Sequence, residues 1–294
     1  MEVLGKIILV PEELLPRDGP RITVVDMHTG GEPLRIVLRG FPPIPGKDLM
    51  SKWRAMVAEP GLDSLRRALM LEPRGHAGMY GALLVQPDDP SEADLAVLFM
   101  HCKGYSTMCG HAVIALARFA LDSGLVEKRT PETPVSVQCP CGVVRALVQC
   151  NAHSQNGRTR FQSVPAFAFA TVPINVPGHG DLSLDIGYGG AFYAVLSAST
   201  LGLDVRTSRT SDLTAAASTV SQAVKEQYVL CIFKKNVQQD CVFNVKYPCN
   251  TLPYMVKCCT SNTIYVIRIS GLTSQIVKDL GQNLPPANPT RTWE

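Results

Sequence analysis

The chain has 294 residues, 46% of them hydrophobic and 18% charged, with a formal net charge of +3. That length allows two modest domains, and the apolar share is too high for a disordered protein. Lys and Arg are scattered rather than gathered in a block, which argues against a nucleic-acid partner, and no run reaches the roughly 20 apolar residues of a membrane span.

In chain order, Ile7-Ile8-Leu9-Val10 is too short for the core of a secretory signal, and Glu12 and Glu13 follow it closely. A soluble cytoplasmic protein with reduced thiols is the expectation. Ile22-Thr23-Val24-Val25 reads as a strand. It runs into Asp26-Met27-His28-Thr29-Gly30-Gly31-Glu32-Pro33, where ionisable groups surround a glycine pair. Glu72-Pro73-Arg74-Gly75-His76-Ala77-Gly78-Met79-Tyr80-Gly81 has the same character. By spacing alone, each is a strand-end turn with solvated side chains, and the functional alternative is a site loop. Neither has a Walker pattern, and the chain has no Ser-His-Asp nucleophile elbow.

Gly104-Tyr105-Ser106-Thr107-Met108-Cys109-Gly110-His111-Ala112-Val113-Ile114-Ala115-Leu116 is the strongest local signal. Small and polar residues lead into a helix expected over Ala112 to Leu121. That helix is apolar almost all round, so it belongs inside a protein, wrapped by other elements. Ser106 or Thr107 is expected to cap it. Cys109 then falls in or near the first turn, where unpaired N–H groups lower a thiol's pKa and bind anions. Such a helix end can hold a carboxylate and present a basic sulfur beside its α-carbon. The alternative is a buried structural thiol. Gly110 permits close approach of a ligand to the backbone, and His111 can donate a hydrogen bond.

Val135-Ser136-Val137 and Ala146-Leu147-Val148 alternate as strands do. Cys139-Pro140-Cys141 between them reads as a strand-turn element. Its single intervening residue and lack of a second pair do not match zinc-ribbon spacing, so no metal centre is expected. Val176-Pro177-Gly178-His179-Gly180-Asp181 leads through a strand-like Leu182 to Ile186 into Gly187-Tyr188-Gly189-Gly190-Ala191-Phe192-Tyr193. The glycines indicate a tight bend. The aromatics either wall a small ring or belong to the core.

Beyond Tyr228 the character changes. Residues 229–294 hold five of the ten cysteines but only two of the 23 glycines, and three acidic residues: Asp240, Asp279 and Glu294. Leu284-Pro285-Pro286-Ala287-Asn288-Pro289 can be neither a regular helix nor an inner strand. Thr263-Ile264-Tyr265-Val266-Ile267 remains strand-like. The stretch reads as a divergent folded end or as a replaced segment that does not complete the fold, and the second reading is preferred.

The Asp26–Pro33 and Glu72–His76 segments, Met108-Cys109-Gly110-His111 and Gly187–Tyr193, in this order, resemble the proline racemase family over about residues 20 to 228. Within it, Met108 to Phe119 is most similar to the animal trans-3-hydroxy-L-proline dehydratases. The resemblance implies an α/β (α+β) fold of two similar lobes, like diaminopimelate epimerase, each a sheet around a central helix. Residues 1–157 would form the N-terminal lobe, 158–228 the start of an incomplete second lobe, and 229–294 a divergent tail.

The resemblance also implies a substrate in the cleft between two helix N-termini. Racemases carry a cysteine on each. The dehydratases replace the second by threonine, so one thiolate takes the α-proton, the 3-hydroxyl leaves, and Δ1-pyrroline-2-carboxylate results after tautomerisation. No cofactor is implied. By motif position Cys109 is the base, and Gly110 and His111 bind the carboxylate. His28, Thr29, Arg74, His76, Tyr80 and Tyr188 would line the site. The implied partner is a small hydroxyproline-like amino acid, with a homodimer as the expected assembly.

The chain departs from the family in its second lobe. There the family carries Asp-Arg-Ser-Pro followed by Cys or Thr and then Gly, and residues 190–294 contain no such run. Cys258-Cys259-Thr260-Ser261 and Ser270-Gly271-Leu272-Thr273-Ser274 lack the Asp and Pro. Three readings are open: an active dehydratase; a truncated or alternative form with impaired catalysis; and, ranked lower, a racemase or 4-hydroxyproline epimerase, which needs a second cysteine opposite Cys109.

Overall fold

Strands β1 (Thr23–Thr29) and β2 (Glu32–Arg39) pair antiparallel up to Thr29 and Glu32, leaving Gly30 and Gly31 as a two-residue turn. Both have positive φ, 59° and 96°, the backbone that such a hairpin turn demands and that glycine adopts without strain. The structure, a computed structural model, describes residues 21–150, 156–229, 263–268 and 292–293.

Helices α1 (Leu49–Ala58) and α2 (Pro60–Met70) come next. Asp48 caps α1 in a reciprocal box with Ser51, and Pro60 opens α2 at a position where its missing N–H is no loss. Beyond them lie β3 (Tyr80–Val85), β4 (Leu95–His101), β5 (Gly104–Ser106), α3 (Gly110–Asp122), β6 (Glu132–Cys139), β7 (Gly142–Cys150) and β8 (Asn156–Gln162). The strands form one sheet in the order β1-β2-β3-β4-β6-β7-β8, with β5 paired to β4 and β13 (Thr292–Trp293) on the far edge of β8.

This sheet wraps α3. The period-two alternation of its strands sorts side chains onto two faces. Leu34 and Ile36 of β2, Leu95, Val97 and Phe99 of β4, Val135 and Val137 of β6, and Val144, Ala146 and Val148 of β7 close around Ala112, Val113, Leu116 and Ala120 of α3. On the opposite face, Ala96, Leu98 and Met100 of β4 pack with Leu49, Met56, Leu62, Leu69 and Met70 from α1 and α2. β4 is therefore buried on both faces and reads as an unbroken apolar run.

α3 starts two residues earlier than Ala112, and its capping differs from the expectation. Cys109 itself is the N-cap, and no side chain caps the helix. Ser106 Oγ donates instead to the Met108 carbonyl (2.7 Å), and Thr107 Oγ1 to the Gly190 carbonyl (2.6 Å). Both hydroxyls are engaged before the helix begins.

A second sheet, all antiparallel, has the order β12-β11-β10-β9: β9 (Phe167–Val176), β10 (Gly180–Tyr188), β11 (Phe192–Ser197) and β12 (Thr263–Arg268). Helix α4 (Thr210–Val224) packs Ala216, Val220, Ala223 and Val224 against Val172, Ile174, Leu184, Phe192 and Leu196 of this sheet. The strand-like run from Thr263 falls in β12. Cys258 to Ser261 and Ser270 to Ser274 lie outside the described residues. Among the described residues no helix is long and apolar enough to cross a membrane.

Candidate active site

The first helical bond of α3 runs from the Val113 N–H to the Cys109 carbonyl (3.0 Å). The N–H groups of Gly110, His111 and Ala112 therefore have no acceptor inside the helix. Cys109, 7% exposed, sits at that end in extended conformation (φ −151°, ψ 112°). The thiol and the positive end of a buried helix dipole thus share one place.

His111 lies against the sulfur. Cys109 Sγ is 3.3 Å from His111 Nδ1 and 3.7 Å from Nε2. The sulfur is thus within hydrogen-bonding reach of the imidazole, with donor and acceptor roles set by the tautomer. Nε2 is also 3.3 Å from the Pro33 carbonyl, an acceptor only, so Nε2 carries the proton in that contact. Burial holds the His111 pKa below its ordinary value, against the opposing pull of Glu32 and the Pro33 carbonyl. The ring is neutral at neutral pH.

The predicted site residues divide into two groups. Thr29 reaches the helix end, its Oγ1 donating to the His111 carbonyl (2.8 Å). Tyr80 meets the His111 ring edge-on at 5.1 Å and stacks on His101 at 5.6 Å. Tyr188 stands on the second-lobe turn between Phe167 (5.1 Å) and Phe192 (4.9 Å), its pKa pushed up to about 12 by burial and by nearby Cys141. The others are exposed and bonded locally. His28 Nδ1 accepts from the Gly31 N–H, Arg74 Nε donates to the Ala68 carbonyl, and His76 Nδ1 lies 3.0 Å from the Ala77 carbonyl.

Several participants carry no local sequence signal. The Pro33 carbonyl, the Thr107–Gly190 bond and the neighbouring Cys139 and Cys141 thiols are such cases. Cys139-Pro140-Cys141 is the turn from β6 to β7, as read from sequence, yet it also brings two thiols to the helix end. Burial pushes the Cys139 thiol well above its usual pKa, and neighbouring Cys141 and Cys109 add to this. The five described cysteines are free thiols, and among the described residues no group of three His, Cys, Asp or Glu is placed to hold a metal ion.

A sequence profile described as proline racemase matches residues 24–245. The chain belongs to the proline racemase family. The match continues past Tyr228, where composition alone had placed a break. Among curated relatives, the trans-L-3-hydroxyproline dehydratase of Xenopus tropicalis is 57% identical over 220 residues, covering 74% of this chain and 62% of that protein. The trans-3-hydroxy-L-proline dehydratase of Homo sapiens is 55% identical over 213 residues, covering 71% and 59%. The chain thus spans about three-fifths of the length of these relatives.

Among solved structures, a probable proline racemase from Agrobacterium radiobacter K84 with bound carbonate superposes with a TM-score of 0.66 at 30% identity, covering 71% of this chain and 61% of that one. A hydroxyproline epimerase from Agrobacterium vitis with bound trans-4-OH-L-proline gives 0.58 at 30% identity, covering 62% and 53%. The two-sheet α/β arrangement is therefore that of the proline racemase fold.

Proposed function

We propose that the protein acts as a trans-3-hydroxy-L-proline dehydratase in which Cys109 is the base. The observation that carries this is the placement of the Cys109 thiol on the N-terminus of a buried helix. Curated relatives at 53–57% identity bear that activity's name.

An amino acid α-proton is very weakly acidic, so the anionic charge needs fixed donors in a dry site. The N–H groups of Gly110 and His111 are oriented to receive the carboxylate. Neutral His111 offers no full positive charge, so the helix end is the main local source that favours the thiolate.

Stereochemistry accounts for a single thiol. In a trans-3-hydroxy-L-proline ring the hydroxyl lies opposite the carboxylate, hence on the same face as the α-hydrogen. Cys109 thiolate takes that hydrogen, the Cα–H electron pair becomes the C2=C3 bond, and the C3–O bond breaks. The new S–H lies on the face from which the hydroxyl departs. Returning its proton releases water and restores the thiolate. The enamine then tautomerises to Δ1-pyrroline-2-carboxylate. Every proton is accounted for without a cofactor.

A second reading concerns the chain as it stands. Residues 190–294 lack the second-lobe motif that supplies the facing helix end in the family, which favours impaired turnover. Removing one such donor typically costs about 3 kcal/mol of barrier.

The test is incubation with trans-3-hydroxy-L-proline in D2O, followed by NMR, for this chain and for a form carrying a family second lobe. Dehydration by the longer form, abolished by Cys109→Ser, is expected. Full activity in Cys109→Ser would refute the assignment of the base. An inert longer form would refute the function. Dehydration by the longer form alone favours the second reading for this chain.

A further inference from the structure

Three contacts fix the residues that lead into Cys109. Two are internal to the first lobe: Ser106 Oγ donates to the Met108 carbonyl (2.7 Å), and the Cys141 N–H to the Thr107 carbonyl (3.2 Å). The third comes from the second lobe, where the Gly190 carbonyl, in the turn between β10 and β11, accepts from Thr107 Oγ1 at 2.6 Å.

Gly190 also lies directly against Met108. A Cβ at Gly190 would fall 2.5 Å from Met108 Cγ and 2.6 Å from Met108 Cβ, closer than real contacts allow. Its φ of +93° independently disfavours any side chain. The position is thus closed to other residues by its surroundings and by its own backbone. The turn is braced by a Gly189 N–H to Ala191 carbonyl bond (3.1 Å) and by the stacked Tyr188 beside it. Cys109 is the N-cap of α3 and follows Thr107 and Met108 directly, so the positions of those two residues set where its backbone enters the helix.

We propose that the second-lobe turn at Gly190, acting through Thr107 and Met108, positions the Cys109 thiol on the N-terminus of α3. Thr107 and Gly190 are then positioning residues: neither exchanges a proton with substrate, and both decide where the sulfur stands. The second lobe then contributes to the chemistry through the segment that carries the thiol. The proposal rests on Cys109 being the reactive thiol. A purely structural lobe contact would instead lower stability and leave the thiol's chemistry alone.

The experiment measures iodoacetamide alkylation of Cys109 against pH in the full chain, quantified by peptide mass spectrometry, with Cys102 as internal reference and melting followed in parallel. Wild type is compared with Thr107→Val, Thr107→Ser and Gly190→Ala. Thr107→Val is expected to displace the Cys109 profile by about one pH unit, a roughly tenfold change in thiolate fraction. Thr107→Ser keeps the hydroxyl and should rescue the profile. Gly190→Ala should disturb it at least as much as Thr107→Val.

In a catalytically competent form, kcat should fall with little change in KM, by up to about 100-fold if the sulfur moves about 1 Å. A wild-type alkylation profile in Thr107→Val overturns the proposal, as do equal shifts in the Val and Ser variants. If Gly190→Ala does not fold, the Thr107 pair decides. The alkylation profile is read without substrate, so it stands or falls separately from the dehydratase reading.

Discussion

Thr29, at the end of β1, donates a 2.8 Å hydrogen bond to the carbonyl of His111, the second residue of α3. An edge hairpin is thereby tied to the helix end that carries Cys109. Thr29→Val keeps the shape and removes the bond. The carbonyl is also within reach of the helix's own ladder, so the loss should be that of one neutral hydrogen bond, about 1 kcal/mol. Urea denaturation should show it as a lower midpoint with an unchanged slope, and Thr29→Ser should recover most of it.

His111 makes stability depend on pH in a defined direction. Burial holds its folded-state pKa below the unfolded value of 6.5. As pH falls through 6.5, the unfolded chain gains a proton that the folded one refuses, so stability drops until the folded pKa is reached. Above 6.5 the contribution is constant. Denaturation curves at pH 7.5 and 5.5 should differ in this sense, and His111→Gln should flatten the difference.

Leu116, fully buried in α3, is surrounded by the wrapped sheet. Leu116→Ala should destabilise by about 2–5 kcal/mol, because the sheet cannot collapse into the space. Leu125, 60% exposed just past the helix, is the contrast, and Leu125→Ala should stay within about 0.5 kcal/mol. Equal effects would mean that α3 is not held as described.

Arg35 grips Asp26 through two nitrogens, at 2.8 Å each, and donates to the carbonyls of Leu69 and Arg74. The Arg35 guanidinium holds the Asp26 carboxyl below its usual pKa. Its stabilising effect is thus present above 3.8 and lost as pH falls through the folded value. Lysine cannot reproduce the fork. Carboxyl NMR of Arg35→Lys should show Asp26 titrating at higher pH, with the segment from Leu69 to Arg74 more open to hydrogen exchange.

What could be read from sequence tracked what is local. The alternation from Ile22 and the apolar run from Ala112 declared β1 and α3, and the Met108–His111 segment announced the helix-end thiol. Asp48, Ser51 and Pro60 mark the starts of helices α1 and α2 by residue type. That signal was available. The Thr107–Gly190 bond was not, because it joins residues 83 positions apart through a backbone carbonyl that no residue type advertises. His28, Arg74 and His76 have the chemistry of site residues, yet their contacts run to Gly31, Ala68 and Ala77 beside them.

β4, apolar on both faces, raises a question of alignment. A strand with one wet face cannot slip by a residue without exposing its core side, but Leu95 to Met100 offer no such polarity, and a slip would leave oil against oil. The information is kept at the two ends. At one end the Asp94 N–H donates to the Ser136 carbonyl (2.9 Å) while the Asp94 carboxylate accepts from the Ser136 N–H (2.7 Å). At the other, buried Arg66 donates to the His101 carbonyl (2.8 Å). Two polar pins, with nothing but hydrocarbon between them, keep the middle of the sheet in step.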